Sequence, residues 1–87
     1  DIVTTAMGGW ADYGVVPDSG VSRVHRIPGL PLTANMSVLG MTGLTAWAGV
    51  TDVLRPQPGQ TMVVSAAAGA VGSIAGQIAK QKGARVI

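Results

Sequence analysis

Residues 61–87, TMVVSAAAGAVGSIAGQIAKQKGARVI, decide the fold, because they read as strand, glycine turn, helix and second strand in one unbroken run. Met62-Val63-Val64 is a short apolar, partly β-branched stretch, the composition of a buried strand. Ala66-Ala67-Ala68-Gly69-Ala70 follows with no bulky side chain before Val71, so the backbone there is free to lie flat against a ligand or another segment. From Val71 the apolar positions Val71, Ile74, Ala75 and Ile78 recur at helical spacing. Lys80 and Lys82 fall in the last turn, and Gly83 stops the helix before Ala84-Arg85-Val86-Ile87. The spacing predicts a compact α/β crossover.

Composition narrows the classes. The chain has 87 residues and no Cys, which excludes disulfides, thiolate metal sites and a cysteine nucleophile. It opens on Asp1 and closes on Val86-Ile87 in mid-strand, so both ends are read as cut, and the chain alone is expected neither to fold cooperatively nor to turn over substrate. Its formal charge of +2 is scattered apart from Arg23, His25 and Arg26, and it holds one Tyr, two Trp and no Phe. That pattern gives neither a phosphate-tracking stripe nor a stacking platform, and nucleic-acid binding is not expected. His25 has no Cys, Asp or Glu close in sequence, so no metal site is expected there.

No charge lies between Arg55 and Lys80, and the mean hydropathy is +0.41. Residues 61–79 approach the ~20 residues that cross a bilayer, and Gly72-Ser73-Ile74-Ala75-Gly76 has small residues at helix-pairing spacing. A membrane-spanning, helix-pairing protein is therefore the alternative. Against it, the segment is mostly Ala and Gly with Ser65, Ser73 and Gln77 inside it, and lacks the large aliphatics that favour insertion. No signal-peptide pattern opens the chain, and a cytoplasmic setting without a membrane partner is expected.

Outward from the glycine turn the chain divides at Pro28-Gly29-Leu30-Pro31, where helix and most strand pairing are prevented. Before it, residues 8–16 read as a strand entered through Gly8-Gly9, Pro17-Asp18-Ser19-Gly20 as a turn, and residues 21–27 as extended again. Trp10 and Tyr13 on such a strand are expected as core or rim packing. After it, residues 33–39 read as a short helix capped by Thr33. Gly40-Met41-Thr42-Gly43 breaks that helix, and a second, capped by Thr42, runs through Leu44, Trp47 and Ala48 to end before Pro56.

The turn carries the chemistry. A nucleotide pyrophosphate needs backbone N–H donors, close approach and a positive potential, which small residues ahead of a helix N-terminus supply. In the G-x-G-x-x-G fingerprint the three glycines serve turn, approach and packing; here Ala67, Gly69 and Gly72 hold those places, and Gly76 extends close packing by a turn. The same residues would also let a helix merely pack tightly on a sheet. The residue that reads the adenosine ribose falls about 20 positions past the turn, beyond Ile87.

Leu39-Gly40-Met41-Thr42-Gly43-Leu44-Thr45-Ala46-Trp47, set beside Val63-Val64-Ser65-Ala66-Ala67-Ala68-Gly69-Ala70-Val71-Gly72-Ser73 and Gly76-Gln77-Ile78-Ala79-Lys80, resembles the medium-chain dehydrogenase/reductase superfamily. Within it the wording is most similar to the zinc-independent branch of prostaglandin reductases, leukotriene B4 dehydrogenases and curcumin reductases. Gly9-Trp10 with Tyr13 resembles the late strand of their GroES-like domain, and Leu30-Pro31-Leu32 the entry to the connecting helices. The resemblance implies an α/β fold: the start of a Rossmann dinucleotide-binding domain preceded by the end of a GroES-like β domain, both incomplete. The divisions are residues 1–30, 31–59 and 60–87. It implies NADPH-dependent reduction of the C=C bond of α,β-unsaturated ketones and aldehydes, with NADH left open, a small enone or enal as substrate and a homodimer of the complete enzyme. Gly69, Ala70, Val71 and Gly72 would bind the pyrophosphate through backbone N–H groups, and Met41 and Thr45 would lie near the nicotinamide. For Thr45 a helix start at Thr42-Gly43 agrees, since it aims N–H groups and a hydroxyl at a ligand; Met41 reads equally as core filling. Thr42 departs from the Pro common in this branch. No residue of the chain is assigned as catalytic or metal-binding, and a third reading is a nucleotide-binding module without catalysis.

Overall fold

A computed structural model describes every residue, Asp1–Ile87. The chain forms two units, Asp1–Asn35 and Met36–Ile87. In the first, Val3–Thr4 (β1) and Ser22–Arg23 (β2) pair antiparallel, Val3 opposite Arg23 and Thr4 opposite Ser22. The expected turn is a single 3-10 turn, Asp18–Gly20, tied back by the Thr5 hydroxyl, which donates to the Gly20 carbonyl at 2.7 Å. An exposed Arg23–Asp1 ion pair at 3.2 Å contributes little, because water screens it. Asn35 closes the unit: its side chain accepts from the His25 amide at 3.2 Å and donates to the His25 carbonyl at 3.0 Å.

The strand expected over residues 8–16 does not form. Gly8 and Gly9 adopt φ of +104° and +62°, which turns the chain out of the extended region. Trp10 and Tyr13 consequently stand fully exposed within their unit instead of packing at a core or rim. The helix expected over 33–39 is a 3-10 turn, Leu32–Met36, with Thr33 inside it and not at its cap.

In the second unit, helix Met41–Ala48 (α1) runs on into a π-helical turn, Gly49–Leu54, which Arg55 ends in the left-handed region at φ 48°. The break in the sequence falls at Gly40 alone, and Gly43 sits inside α1. Strand Thr61–Met62 (β3), helix Ala70–Gln81 (α2) and strand Arg85–Val86 (β4) then follow in the order the spacing predicts. β3 and β4 pair parallel, Thr61 beside Arg85 and Met62 beside Val86, and the Val64 amide extends the ladder to Ile87 at 2.8 Å. Gly83 (φ 85°) ends α2: its amide donates to Lys80 and the Ala84 amide to Ala79, the double bond of a Schellman stop.

The core of this unit is made of small residues. Ala46 and Val50 meet Ala75, Ala79 and Ala84, with Met62, Ile74, Ile78 and Val86 packed around them. Val50 is the one larger side chain that is fully buried. No helix is long and apolar enough to cross a membrane. Residues 61–79, considered above as one span, are instead strand, turn and part of a 12-residue helix.

Candidate functional site: a glycine turn at a helix start

The turn is built on Ala66. Its φ of 51° lies in the left-handed region, where a Cβ costs roughly 1–2 kcal/mol, and it reverses the chain two residues past Val64, where the ladder with Ile87 ends. The positive φ therefore falls on Ala66 and not on Ala67, the place given to the first glycine of the fingerprint. The Ala66 carbonyl accepts from the Gly69 amide at 2.8 Å, which closes the turn. A Cβ on Gly72 would overlap that carbonyl oxygen and stand 3.1 Å from its carbon and 3.3 Å from the Ala67 Cα. Helix and turn thus touch backbone to backbone, and position 72 admits only glycine without movement.

Gly69 is the N-cap of α2, with no side-chain cap and no acidic residue in the first turn. The first ladder bond runs from the Ser73 amide to the Gly69 carbonyl at 3.0 Å. The amides of Ala70, Val71 and Gly72 precede that bond, at the positive end of the helix dipole and in an exposed alanine-glycine surround. The Gly69 amide itself is engaged with Ala66. Beside the turn a groove of about 470 Å³ opens along α2, lined among others by Ala67, Gly72, Ser73, Gly76 and Arg85. That volume lies in the range of small-molecule sites, roughly 300–1,000 Å³.

Met41 and Thr45 lie one turn apart on the same face of α1, both exposed, so Met41 does not fill the core. Neither lines the groove beside the turn. The Thr45 hydroxyl donates to the Met41 carbonyl at 2.8 Å, which leaves its lone pairs to accept. Amides expected to be free at this helix start are engaged: Gly43 donates to Ser37 and Leu44 to Gly40, both at 3.0 Å. Thr42 does not cap. It is the second residue of the helix, and its hydroxyl donates to the Ser37 carbonyl at 2.8 Å. The left-handed Ala66 and the Ser37 acceptor escaped sequence reasoning, since neither alanine nor a backbone carbonyl announces itself in a pattern.

No protein-family model matches the chain. It is 41% identical to prostaglandin reductase 1 of Mus musculus over 87 residues, covering 98% of this chain and 26% of that one. It is 42% identical to the NADP(+)-dependent 2-alkenal reductase of Nicotiana tabacum, covering 93% of this chain and 24% of that one. The solved structure of CurA from Vibrio vulnificus in complex with NADPH matches with a TM-score of 0.61 and 40% identity, over 85% of this chain and 18% of that one. The molecule is a small α/β unit whose solved neighbours are CurA reductases. Its homologues are NADP-dependent oxidoreductases of the prostaglandin reductase, curcumin reductase and alkenal reductase branch. It spans about a quarter of the length of the curated relatives it matches.

Proposed function

We propose that this chain is the segment of an NADPH-dependent reductase that holds the pyrophosphate and the nicotinamide end of the cofactor, in an enzyme reducing the C=C bond of α,β-unsaturated ketones and aldehydes. The observation that carries the reading is the uncapped start of α2, where the Ala70, Val71 and Gly72 amides follow a turn too close for a Cβ at residue 72. A pyrophosphate fits such a place: it needs donors, positive potential and close approach, and no side chain stands in its way. Gly69 contributes shape and the cap carbonyl, and its neighbours contribute the donors. Met41 and Thr45 take the nicotinamide end.

The antiparallel pairing of β1 with β2 and the parallel β3–α2–β4 crossover support a further division. Residues 1–30 are the end of a GroES-like β domain, 31–59 the connecting helices and 60–87 the first strand, helix and strand of a Rossmann domain. NADPH, when bound, supplies the hydride for the β-carbon of the substrate. No side chain of the chain is assigned as proton donor to the α-carbon. Cytoplasmic residence and a homodimer complete the proposal.

The test is oxidation of NADPH, with NADH in parallel, by the protein as its gene encodes it, using cyclohexenone as acceptor. Turnover with preference for NADPH is expected. Cofactor binding without turnover would make the protein a nucleotide-binding module instead, and loss of both ends the proposal.

A further inference from the structure

The start of α1 is held by a single carbonyl outside the helix. The Ser37 oxygen accepts from the Gly40 amide at 3.0 Å, the Gly43 amide at 3.0 Å and the Thr42 hydroxyl at 2.8 Å. Gly40, the N-cap, provides no side-chain oxygen, so the bond from Gly43, the third helical amide, does what a capping Ser or Asp would do. Gly43 lets this happen. A Cβ there would overlap the Val38 carbonyl oxygen and stand 2.5 Å from its carbon and 2.9 Å from its Cα, so the 38–39 peptide lies directly on the helix backbone. Glycine makes room, and the amides alone leave this docking to a shared acceptor. The Thr42 hydroxyl adds a side-chain tether.

Thr42 is half-buried, whereas Met41, Leu44 and Thr45 around it are exposed. One face of this first turn is anchored to residues 37–38 and the other carries Met41 and Thr45. Those two are themselves linked by the Thr45 hydroxyl on the Met41 carbonyl. A shift at the anchored face therefore moves both as a pair.

We infer that Thr42 is a positioning residue: through its hydroxyl bond to the Ser37 carbonyl it fixes the start of α1, and with it Met41 and Thr45, at the nicotinamide end of the bound cofactor. The inference rests on the reduction proposed above. The Thr42 hydroxyl bonds to Ser37 and not to the α2 start or its turn, so its loss disturbs placement of the nicotinamide while the pyrophosphate contacts stay. Hydride transfer is sensitive to such placement, since a displacement of about 1 Å costs up to roughly 100-fold in rate.

The experiment compares wild type, Thr42→Val and Thr42→Ser in the protein as its gene encodes it, with cyclohexenone as substrate and NADPH deuterated at C4 as a second probe. For Thr42→Val, kcat falls about fivefold or more, KM for NADPH stays within about twofold and the deuterium isotope effect on kcat rises. Thr42→Ser keeps the donor and drops a methyl, so its kcat stays within about twofold of wild type. Circular dichroism and Tm are read on every variant. Should the valine variant not fold, the serine variant still decides: a fivefold loss of kcat in a folded Thr42→Ser protein overturns the inference. Wild-type turnover with kcat unchanged in Thr42→Val overturns it also and leaves the reductase reading standing. No turnover by wild type overturns that reading, and the inference with it.

Discussion

Gly72 and Gly76 lie one turn apart on α2, yet replacing each with alanine should move stability in opposite directions. At Gly76 a new Cβ meets Val86 Cγ1 at 3.5 Å, an ordinary van der Waals contact. Removing a glycine from a helix interior then stabilises by about 0.5–1 kcal/mol. At Gly72 the same methyl overlaps the Ala66 carbonyl oxygen, which is already held by the Gly69 amide at 2.8 Å. The oxygen has to retreat by about 1 Å to reach normal contact, and that opens the turn. Overpacking of this kind costs about 1–3 kcal/mol, so after the helix gain the net loss is up to about 2.5 kcal/mol. The assay is urea unfolding followed by circular dichroism, paired with NADPH titration of the protein as its gene encodes it. We expect a higher midpoint for Gly76→Ala, a lower one for Gly72→Ala, and about tenfold weaker NADPH binding for Gly72→Ala only. Equal stabilisation by both alanines, or unchanged NADPH affinity in Gly72→Ala, refutes the backbone-contact reasoning.

Three further outcomes follow from particular contacts. Gly43→Ala drives a methyl into the Val38 backbone and should destabilise the second unit by about 3 kcal/mol, seen as a lower urea midpoint. Ala66→Gly relieves a left-handed alanine and should stabilise by up to about 1 kcal/mol, whereas Ala66→Val should destabilise by a similar amount; thermal melts separate the two. Asn35→Leu removes the acceptor of the His25 amide, so hydrogen exchange at that amide should accelerate about tenfold while the β3–β4 amides keep their protection.

The crossover was legible because its signals are local: a β-branched run, small residues, helical spacing and a glycine stop each act within a few positions. The same locality explains the stop at Gly83 and the parallel pairing that follows it. Elsewhere non-local geometry decided. The Gly8-Gly9 pair reads as an entry to a strand, but its two positive φ angles end the extended path and leave Trp10 and Tyr13 exposed. Gly43 reads as a breaker, and only the closeness of Val38 shows it to be a contact point inside the helix. At the turn the small residues were visible, but the division of labour was not: the Gly69 amide serves the turn, and the three amides after it precede the helix ladder.

The alanine core between α1 and α2 has a mechanical consequence. Ala46, Ala75 and Ala79 have no side-chain torsion that could relax when one helix shifts against the other. A close-packed interior transmits displacement when its members cannot change rotamer. A push at the Ser37 anchor of α1 is thus carried through rigid methyl contacts into α2, with little lost to side-chain rearrangement. The two ends that would grip one dinucleotide are stiffly geared to each other, and larger, more flexible aliphatics in the same places would make that gearing slack.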